Sequence, residues 1–163
     1  MLSECRARPA RPDEAAAVAA MFNALNRMDR PPAPVETTAE AVRRDLLSAV
    51  PRATLLVAEL DGALVGFATG NPVHDPGRGP DAFFLDRVYV LPEARRRGAG
   101  RALVAHLAAV ARRHGAGRLR CGAHLGGEAP RFCRALGTRD EGGFLGRVLA
   151  GPAFEALAEQ GFE

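Results

Sequence analysis

The residues best suited to chemistry form a basic, glycine-rich segment in the middle of the chain. A strand-like run ends at Leu91-Pro92, and a glycine turn then opens an amphipathic helix at about Gly98. Backbone N–H groups at a helix N-terminus carry partial positive charge, and glycines let an anion approach them. Arginines add charge-assisted hydrogen bonds to phosphate oxygens. The pattern favours a compact phosphate ligand, held by Arg95, Arg96, Arg97, Gly98, Ala99, Gly100 and Arg101.

Two common nucleotide-binding loops do not match this segment. A Walker loop requires a lysine, and all 22 basic residues of the chain are arginine. A dinucleotide fingerprint follows the first strand, whereas this motif lies mid-chain and has Leu103 at the third glycine position. The alternative to a phosphate site is a tight turn with solvated charges.

Apolar periodicity indicates the elements that would position this segment. The Asp61-Gly62 pair between two apolar runs predicts a hairpin, and Leu103, Leu107 and Val110 form one stripe of a helix. Asp13 and Thr38 are expected N-caps. We predict strands within 6–12 and at 54–60, 63–69, 83–90, 118–123 and 143–149, and helices from Asp13 to about Asn26, from Thr38, from Gly98, at 128–136 and from Pro152.

This order of elements predicts an α/β (α+β) fold, with a mixed central sheet flanked by helices. A length of 163 residues suits one domain, 1–163. No run approaches ~18 apolar residues and the N-terminus has no signal-like apolar region, so we expect no membrane partner. Cys5, Cys121 and Cys133 are an odd number without metal-ligand spacing, which favours reduced thiols in the cytoplasm and no metal site.

Composition also bears on nucleic acid as a partner. The net charge is +3, but the chain has no tryptophan and one tyrosine, and no stretch alternates arginines with aromatic residues. We therefore expect no nucleic-acid partner, and a basic nucleic-acid binder is the weakest of the alternatives.

Two segments carry a resemblance to a known family. Residues 95–100, Arg-Arg-Arg-Gly-Ala-Gly, resemble the Arg/Gln-x-x-Gly-x-Gly/Ala pyrophosphate loop of the GNAT superfamily, the Gcn5-related N-acetyltransferases. Residues 126–137 are similar to that family's Asn-x-x-Ala-x-x-Phe-Tyr-x-x-x-Gly segment. The layout from Arg8-Pro9 to the tail is most similar to the diamine acetyltransferase branch.

The resemblance implies an acetyl-CoA-dependent N-acetyltransferase of the GNAT fold, in which a small-molecule or protein amine attacks the thioester directly in a ternary complex. It implies that the backbone of Val88, Tyr89 and Val90 pairs with the pantetheine arm and that residues 95–101 hold the pyrophosphate. An N–H group at a bulge in that strand would stabilise the oxyanion. The resemblance also leads us to expect a homodimer.

The resemblance further suggests catalytic and acceptor-binding residues. Asp86 stands where relatives often have a glutamate base, although it could be a surface carboxylate; on a regular pleat it shares a face with Val88, which a bulge would alter. Arg87 replaces an aspartate of diamine-specific members, so it disfavours a polyamine and favours an acidic acceptor unless it forms a salt bridge. Asp29 corresponds to an acceptor-contacting acid, or is a solvated loop charge.

Other positions depart from the family pattern. Cys133 replaces a tyrosine that donates a proton in many relatives, and Gly126 replaces an asparagine. With Arg87, these departures motivate an alternative: a non-catalytic acyl-CoA-binding domain that acts as a sensor or interaction module. His124 is a second candidate base, and His74 lies in a loop that contacts acceptors in relatives.

Overall fold

The computed structural model describes residues 5–29, 35–74, 76–77, 81–122, 128–142 and 147–161. It divides into two compact units, Met1–His124 and Leu125–Glu163. The first contains β1 (Cys5–Pro9), α1 (Ala15–Asp29), α2 (Ala39–Leu46), β2 (Thr54–Leu60), β3 (Ala63–Val73), β4 (Ala82–Val90), α3 (Ala99–Arg113) and β5 (Arg118–Cys121), with 3-10 turns at Pro12–Glu14 and Pro92–Ala94. The second contains α4 (Ala129–Ala135) and α5 (Pro152–Gln160).

The five described strands form one mixed sheet in the order β1-β2-β3-β4-β5. The first three pairings are antiparallel, and β4 and β5 pair in parallel. The predicted hairpin between β2 and β3 is confirmed. Its two turn residues, Asp61 and Gly62, have φ of 51° and 83°, as a type I′ turn requires.

Alternation along the strands sends apolar side chains to two cores, one on each face of the sheet. Leu56 and Phe83 pack with Leu103 and Leu107 on the α3 side. Val57 and Phe67 pack with residues of α1 and α2 on the opposite side. The predicted stripe of α3 is therefore confirmed, since Leu103, Leu107 and Val110 are all buried.

Several predicted boundaries were wrong. Asp13 does not cap the first helix: the chain enters through a 3-10 turn, in which Glu14 accepts the Arg11 N–H at 2.7 Å. The helix continues past Asn26 to Asp29. β3 continues past Thr69 to Val73, because β4 pairs with it over this stretch. Thr38, by contrast, does cap α2, its Oγ1 accepting the Ala41 N–H at 3.1 Å.

The strand predicted at 143–149 is not found among the described residues. Residues 147–150 are irregular and exposed, and 143–146 lie outside the described ranges. The apolar character of Val148 and Leu149 suggested a strand, but both side chains are exposed. The helix predicted from Pro152 is confirmed.

A partly buried ion network joins the edge strand β1 to its neighbours. The Arg8 guanidinium donates to Glu14 at 2.6 Å and to Glu59 at 2.8 Å. The hydrogen bond from Arg8 is the main reason that the pKa of Glu14 lies below its ordinary value. Because the charged carboxylate is favoured in the folded state, it stabilises the fold above that ordinary pKa and loses this effect as the pH falls through the folded value.

We expect Glu14→Gln to lower the free energy of unfolding at pH 7 by about 2 kcal/mol, since it removes charge-assisted hydrogen bonds. The wild type should lose stability between pH 6 and pH 3 more steeply than the variant. Urea denaturation across that range measures both effects. Asp13→Asn, which changes an exposed neighbouring carboxylate, is the control; equal acid sensitivity of wild type and Glu14→Gln would contradict the assignment.

Candidate active site

One extra residue in β4 determines the local geometry. Thr69 of β3 pairs with Arg87, but the next residue, Gly70, pairs with Leu85. Asp86 is therefore left out of the ladder. This is a β-bulge, which bends a strand and shifts its alternation by one residue.

The bulge changes which face each part of β4 presents. Leu85 and Val88 both pack against the α3-side core. They are three positions apart, so a regular strand would place them on opposite faces. Asp86 consequently does not share a face with Val88, and it lines cavities on the side of α1 and α2.

The described pairing of β4 with β5 stops just before the bulge. The parallel ladder runs from Ala82–Arg118 to Leu85–Cys121, where the pairing of these two strands ends. Residues 87–90 pair with β3 on one side. On the side of β5, none of the described strands pairs with residues 87–90. Their polar backbone groups therefore form an edge that an extended ligand could join as an added strand.

The glycine-rich loop connects this open edge to α3. Gly98 is the N-cap of the helix with φ of 91°, and Arg96 has φ of 62°, which is strained for a residue other than glycine. The first helical hydrogen bond runs from the Ala102 N–H to the Gly98 carbonyl at 2.9 Å. Earlier amides of α3 have no acceptor within the helix, and no side chain caps them at Gly98. They present donors at the positive end of the helix dipole.

The arginines of this loop have different surroundings. Arg95 Nε donates to the Val90 carbonyl at 3.0 Å, which fastens the loop to the end of β4. Arg97 lies 3.4 Å from Asp61 in the β2–β3 turn. Arg96 and Arg101 are exposed. The arrangement can hold an anion with backbone amides and with exposed guanidinium groups.

A cleft lies between the bulge and the two N-terminal helices. It consists of two cavities of about 250 Å³ and 290 Å³, and Phe22, Thr37 and Asp86 line both of them. The second cavity also contacts Asn26 and Arg87. The first, which we call the apolar slot, is lined in addition by Ala41, Val42, Asp45, Leu46, Arg52, Ala53 and Thr69.

Two asparagines of α1 hold the wall of this cleft in place. Asn23 exchanges hydrogen bonds with the backbone of Thr37, at 2.7 Å and 2.9 Å. Asn26 donates to the Val35 carbonyl at 2.7 Å. The segment before α2 is thus fixed against α1, which positions Thr37 opposite the bulge.

Arg87 is paired in the structure. Its Nη1 lies 3.1 Å from Asp29, and its Nε lies 3.9 Å from Asp86. Asp29 is the last residue of α1 and not part of a loop. Because Asp29 compensates the Arg87 charge, the expectation that this arginine selects an acidic acceptor loses its basis.

Of the remaining predicted residues, Tyr89 and His74 line neither cavity, and the others belong to the second unit or lie outside the described ranges. Tyr89 is buried beside Phe67 and acts in packing, as its place in the α1-side core shows. His74 is exposed and bonds Asp81 at 2.7 Å. Cys133 is half-buried on α4 in the second unit, whereas His124 and Gly126 lie outside the described residues.

Sequence reasoning missed several residues that shape the cleft. Phe22 was missed because the apolar periodicity of α1 selects its neighbour Met21, which is buried. Thr69 is a polar residue at the end of an apolar strand, and this contrast was the available signal. Asn23 and Asn26, one helical turn apart, could have indicated a clamp on the following segment.

Two kinds of feature are absent from the described part of the chain. No helix there is long and apolar enough to cross a bilayer. Those residues also contain no cluster of three or more histidine, cysteine or acidic side chains arranged to hold a metal ion.

Comparison with known proteins identifies the class. The model of the acetyltransferase (GNAT) family matches residues 18–137. The chain therefore belongs to the GNAT family of acetyltransferases; it is an N-acetyltransferase, and its acyl donor is acetyl-CoA. No curated protein matches the chain in sequence at a significant level.

Solved structures share the fold at low identity. An integron cassette protein from the mobile metagenome of V. cholerae is 20% identical with a TM-score of 0.75, over 98% of this chain and 99% of that one. A ribosomal-protein-alanine N-acetyltransferase from Brucella melitensis is 22% identical with a TM-score of 0.68, over 88% and 99%. An aminoglycoside N-acetyltransferase bound to a bisubstrate analogue is 18% identical with a TM-score of 0.71, over 91% and 100%.

We expect the Asp29–Arg87 pair to show a coupling free energy of about 0.5–1 kcal/mol, because both side chains are only partly exposed. A double-mutant cycle of Asp29→Asn, Arg87→Gln and the double variant, measured by urea denaturation, gives this value. The coupling should shrink at 1 M salt. Additive single effects would mean that the pair does not form in solution.

Proposed function

We propose that the chain transfers the acetyl group of acetyl-CoA to a primary amine, of a small molecule or a protein, by direct attack in a ternary complex. The observation that carries this proposal is the bulge. The bulge places Asp86 in the cleft on one face of β4, and the described pairing with β5 stops at the same point, which supports an edge there for the donor. Donor and acceptor could then meet at the same residue.

The donor site in this proposal consists of the open edge and the loop. Backbone groups of Val88, Tyr89 and Val90 pair with the pantetheine arm, and residues 95–101 hold the pyrophosphate. The edge free of β5 and the uncapped amides after Gly98 support these roles. Acetyl-CoA supplies the electrophile: the amide N–C bond forms at the thioester carbonyl carbon as the C–S bond breaks, and the thiolate sulfur takes up a proton.

Asp86 acts in this proposal as the general base. An amine is protonated near neutral pH and must lose a proton before its nitrogen can attack. Asp86 lines both cavities and its carboxylate is half-exposed, so it can accept that proton directly or through a water molecule. An N–H group of the bulge stabilises the negative charge on the carbonyl oxygen.

We also propose that the enzyme is a cytoplasmic homodimer of one domain, in the branch whose layout resembles the diamine acetyltransferases. All three cysteines are described, and none forms a disulfide, which suits a reducing compartment. Phe154 and Leu157 on α5 are exposed apolar side chains that a second copy could cover.

Gly98→Asp should weaken acetyl-CoA binding about 10- to 100-fold, since it puts a carboxylate where charge-assisted bonds to phosphate form. Arg96→Ala should weaken it less. Calorimetric titration of acetyl-CoA into the purified protein measures both. Gly115→Asp is a matched control, because Gly115 also has a positive φ, 80°, but lies beyond the opposite end of α3. Undiminished affinity of Gly98→Asp would remove the loop from the donor site.

Asp86→Asn should lower kcat/KM for the acceptor about 100-fold or more, the usual contribution of a general base, while the acetyl-CoA Kd stays unchanged. Steady-state assays that detect CoA by chromatography avoid interference from the protein's own thiols. Asp13→Asn is the control, because Asp13 is an exposed carboxylate that lines neither cavity. Turnover indifferent to Asp86→Asn would overturn the assignment of the base.

A further inference from the structure

We infer that the acceptor is a small amine with one ammonium group and an apolar, ring-sized body. The ammonium lies at Asp86 and the body fills the apolar slot. This inference rests on the proposed function, because it takes the cleft as the acceptor site. It is carried by the size of the slot, by its walls, by the pairing of its charges and by one buried hydroxyl.

Size and walls limit what the slot can hold. At about 250 Å³ it is smaller than the ~300–1,000 Å³ pockets that take drug-sized ligands. Its walls contain the side chains of Phe22, Ala41, Val42, Leu46 and Ala53, which are apolar. A chain of hydroxyls or amines would lose hydrogen bonds to water there, whereas an aromatic or branched aliphatic body would gain from burial.

The charges around the cleft favour a single ammonium. Asp45 lies against Arg44 and Arg52, at 2.8 Å and 3.4 Å. Asp29 pairs with Arg87 at 3.1 Å. Asp86 has only the distant contact to Arg87, at 3.9 Å. Of the carboxylates described in or beside the cleft, Asp86 is thus the least compensated, and a second ammonium would meet a carboxylate that already has a partner.

A buried hydroxyl also points to a ligand. Thr69 lines the slot and is 3% exposed, and its Oγ1 has no hydrogen-bond partner within the described part of the chain. Thr69 pairs with Arg87 in the ladder, so it lies directly beside the bulge. Native proteins seldom leave such a group unsatisfied. After a small rotation of its side chain, the hydroxyl can accept a hydrogen bond from the bound amine.

A panel of four amines tests the inference with the full chain. We compare kcat/KM for 2-phenylethylamine, phenylalanine, 1,4-diaminobutane and the aminoglycoside neamine, at saturating acetyl-CoA. The kcat/KM for 2-phenylethylamine should exceed that for each of the other amines at least ~10-fold, because an apolar pocket discriminates against more polar substrates. Phenylalanine isolates the effect of an added carboxylate, whereas 1,4-diaminobutane replaces the apolar ring with a second ammonium. A preference for either of them, or for neamine, would overturn the inference.

Variants of the slot sharpen this test. Ala41→Glu puts a further carboxylate into the slot and should shift the preference toward 1,4-diaminobutane. Ala20→Glu makes the same change on an exposed face of α1 that lines neither cavity, and should leave the preference unchanged. Thr69→Val should raise KM for 2-phenylethylamine about 5- to 10-fold with acetyl-CoA affinity unchanged, as loss of one hydrogen bond predicts. An unaltered preference in Ala41→Glu would contradict the slot.

Failure of the inference can be told apart from failure of the proposed function. Binding of 2-phenylethylamine is measured by calorimetry with CoA present, independently of turnover. Binding that Ala41→Glu weakens, without acetyl transfer, would support the slot and overturn the proposed reaction. Efficient acetylation of 1,4-diaminobutane with no binding of 2-phenylethylamine would overturn the slot and leave the reaction standing. If the aromatic amine is neither bound nor acetylated, the inference is overturned.

Discussion

The bulge in β4 is the constraint on which the rest of the site depends. A strand that alternates regularly would direct Asp86 and Val88 to the same face. One additional residue releases Asp86 from the ladder, and Arg87 and Tyr89 then face α1 while Val88 and Val90 face α3. The described pairing with β5 also stops at Leu85, the residue before Asp86. In the proposed function, a single local feature thus provides both the edge for one substrate and the acidic wall for the other.

Two glycines of β3 allow β4 to approach on either side of the bulge. A Cβ on Gly70 would lie 2.8 Å from the Phe84 carbonyl oxygen, and one on Gly66 would lie 2.5 Å from that of Tyr89. Contacts this short would force the strands apart, so larger residues would disturb the register that produces the bulge. Neither glycine has a positive φ, so glycine is required at these positions for the absence of a side chain and not for its backbone conformation.

What the sequence could predict depended on the range of the interaction. The Asp61-Gly62 hairpin, the Thr38 cap and the stripe of α3 are encoded by residues a few positions apart, and each was found in the structure. The position of the bulge depends on how Thr69 and Gly70 register against a strand that begins nine residues after β3 ends. The pairing of Arg87 with Asp29 joins residues 58 positions apart. Such contacts leave no local pattern.

The pairing of Arg87 shows why a residue type alone is a poor guide to specificity. In isolation, an arginine beside the base repels cations and attracts acids. In this cleft Asp29 already compensates it, and its guanidinium is partly covered. The two charges together add little net field, so selection passes to groups that are not neutralised: the Asp86 carboxylate, the Thr69 hydroxyl and the apolar walls of the slot. In the proposed acceptor site, specificity then follows from the groups that remain unpaired after folding.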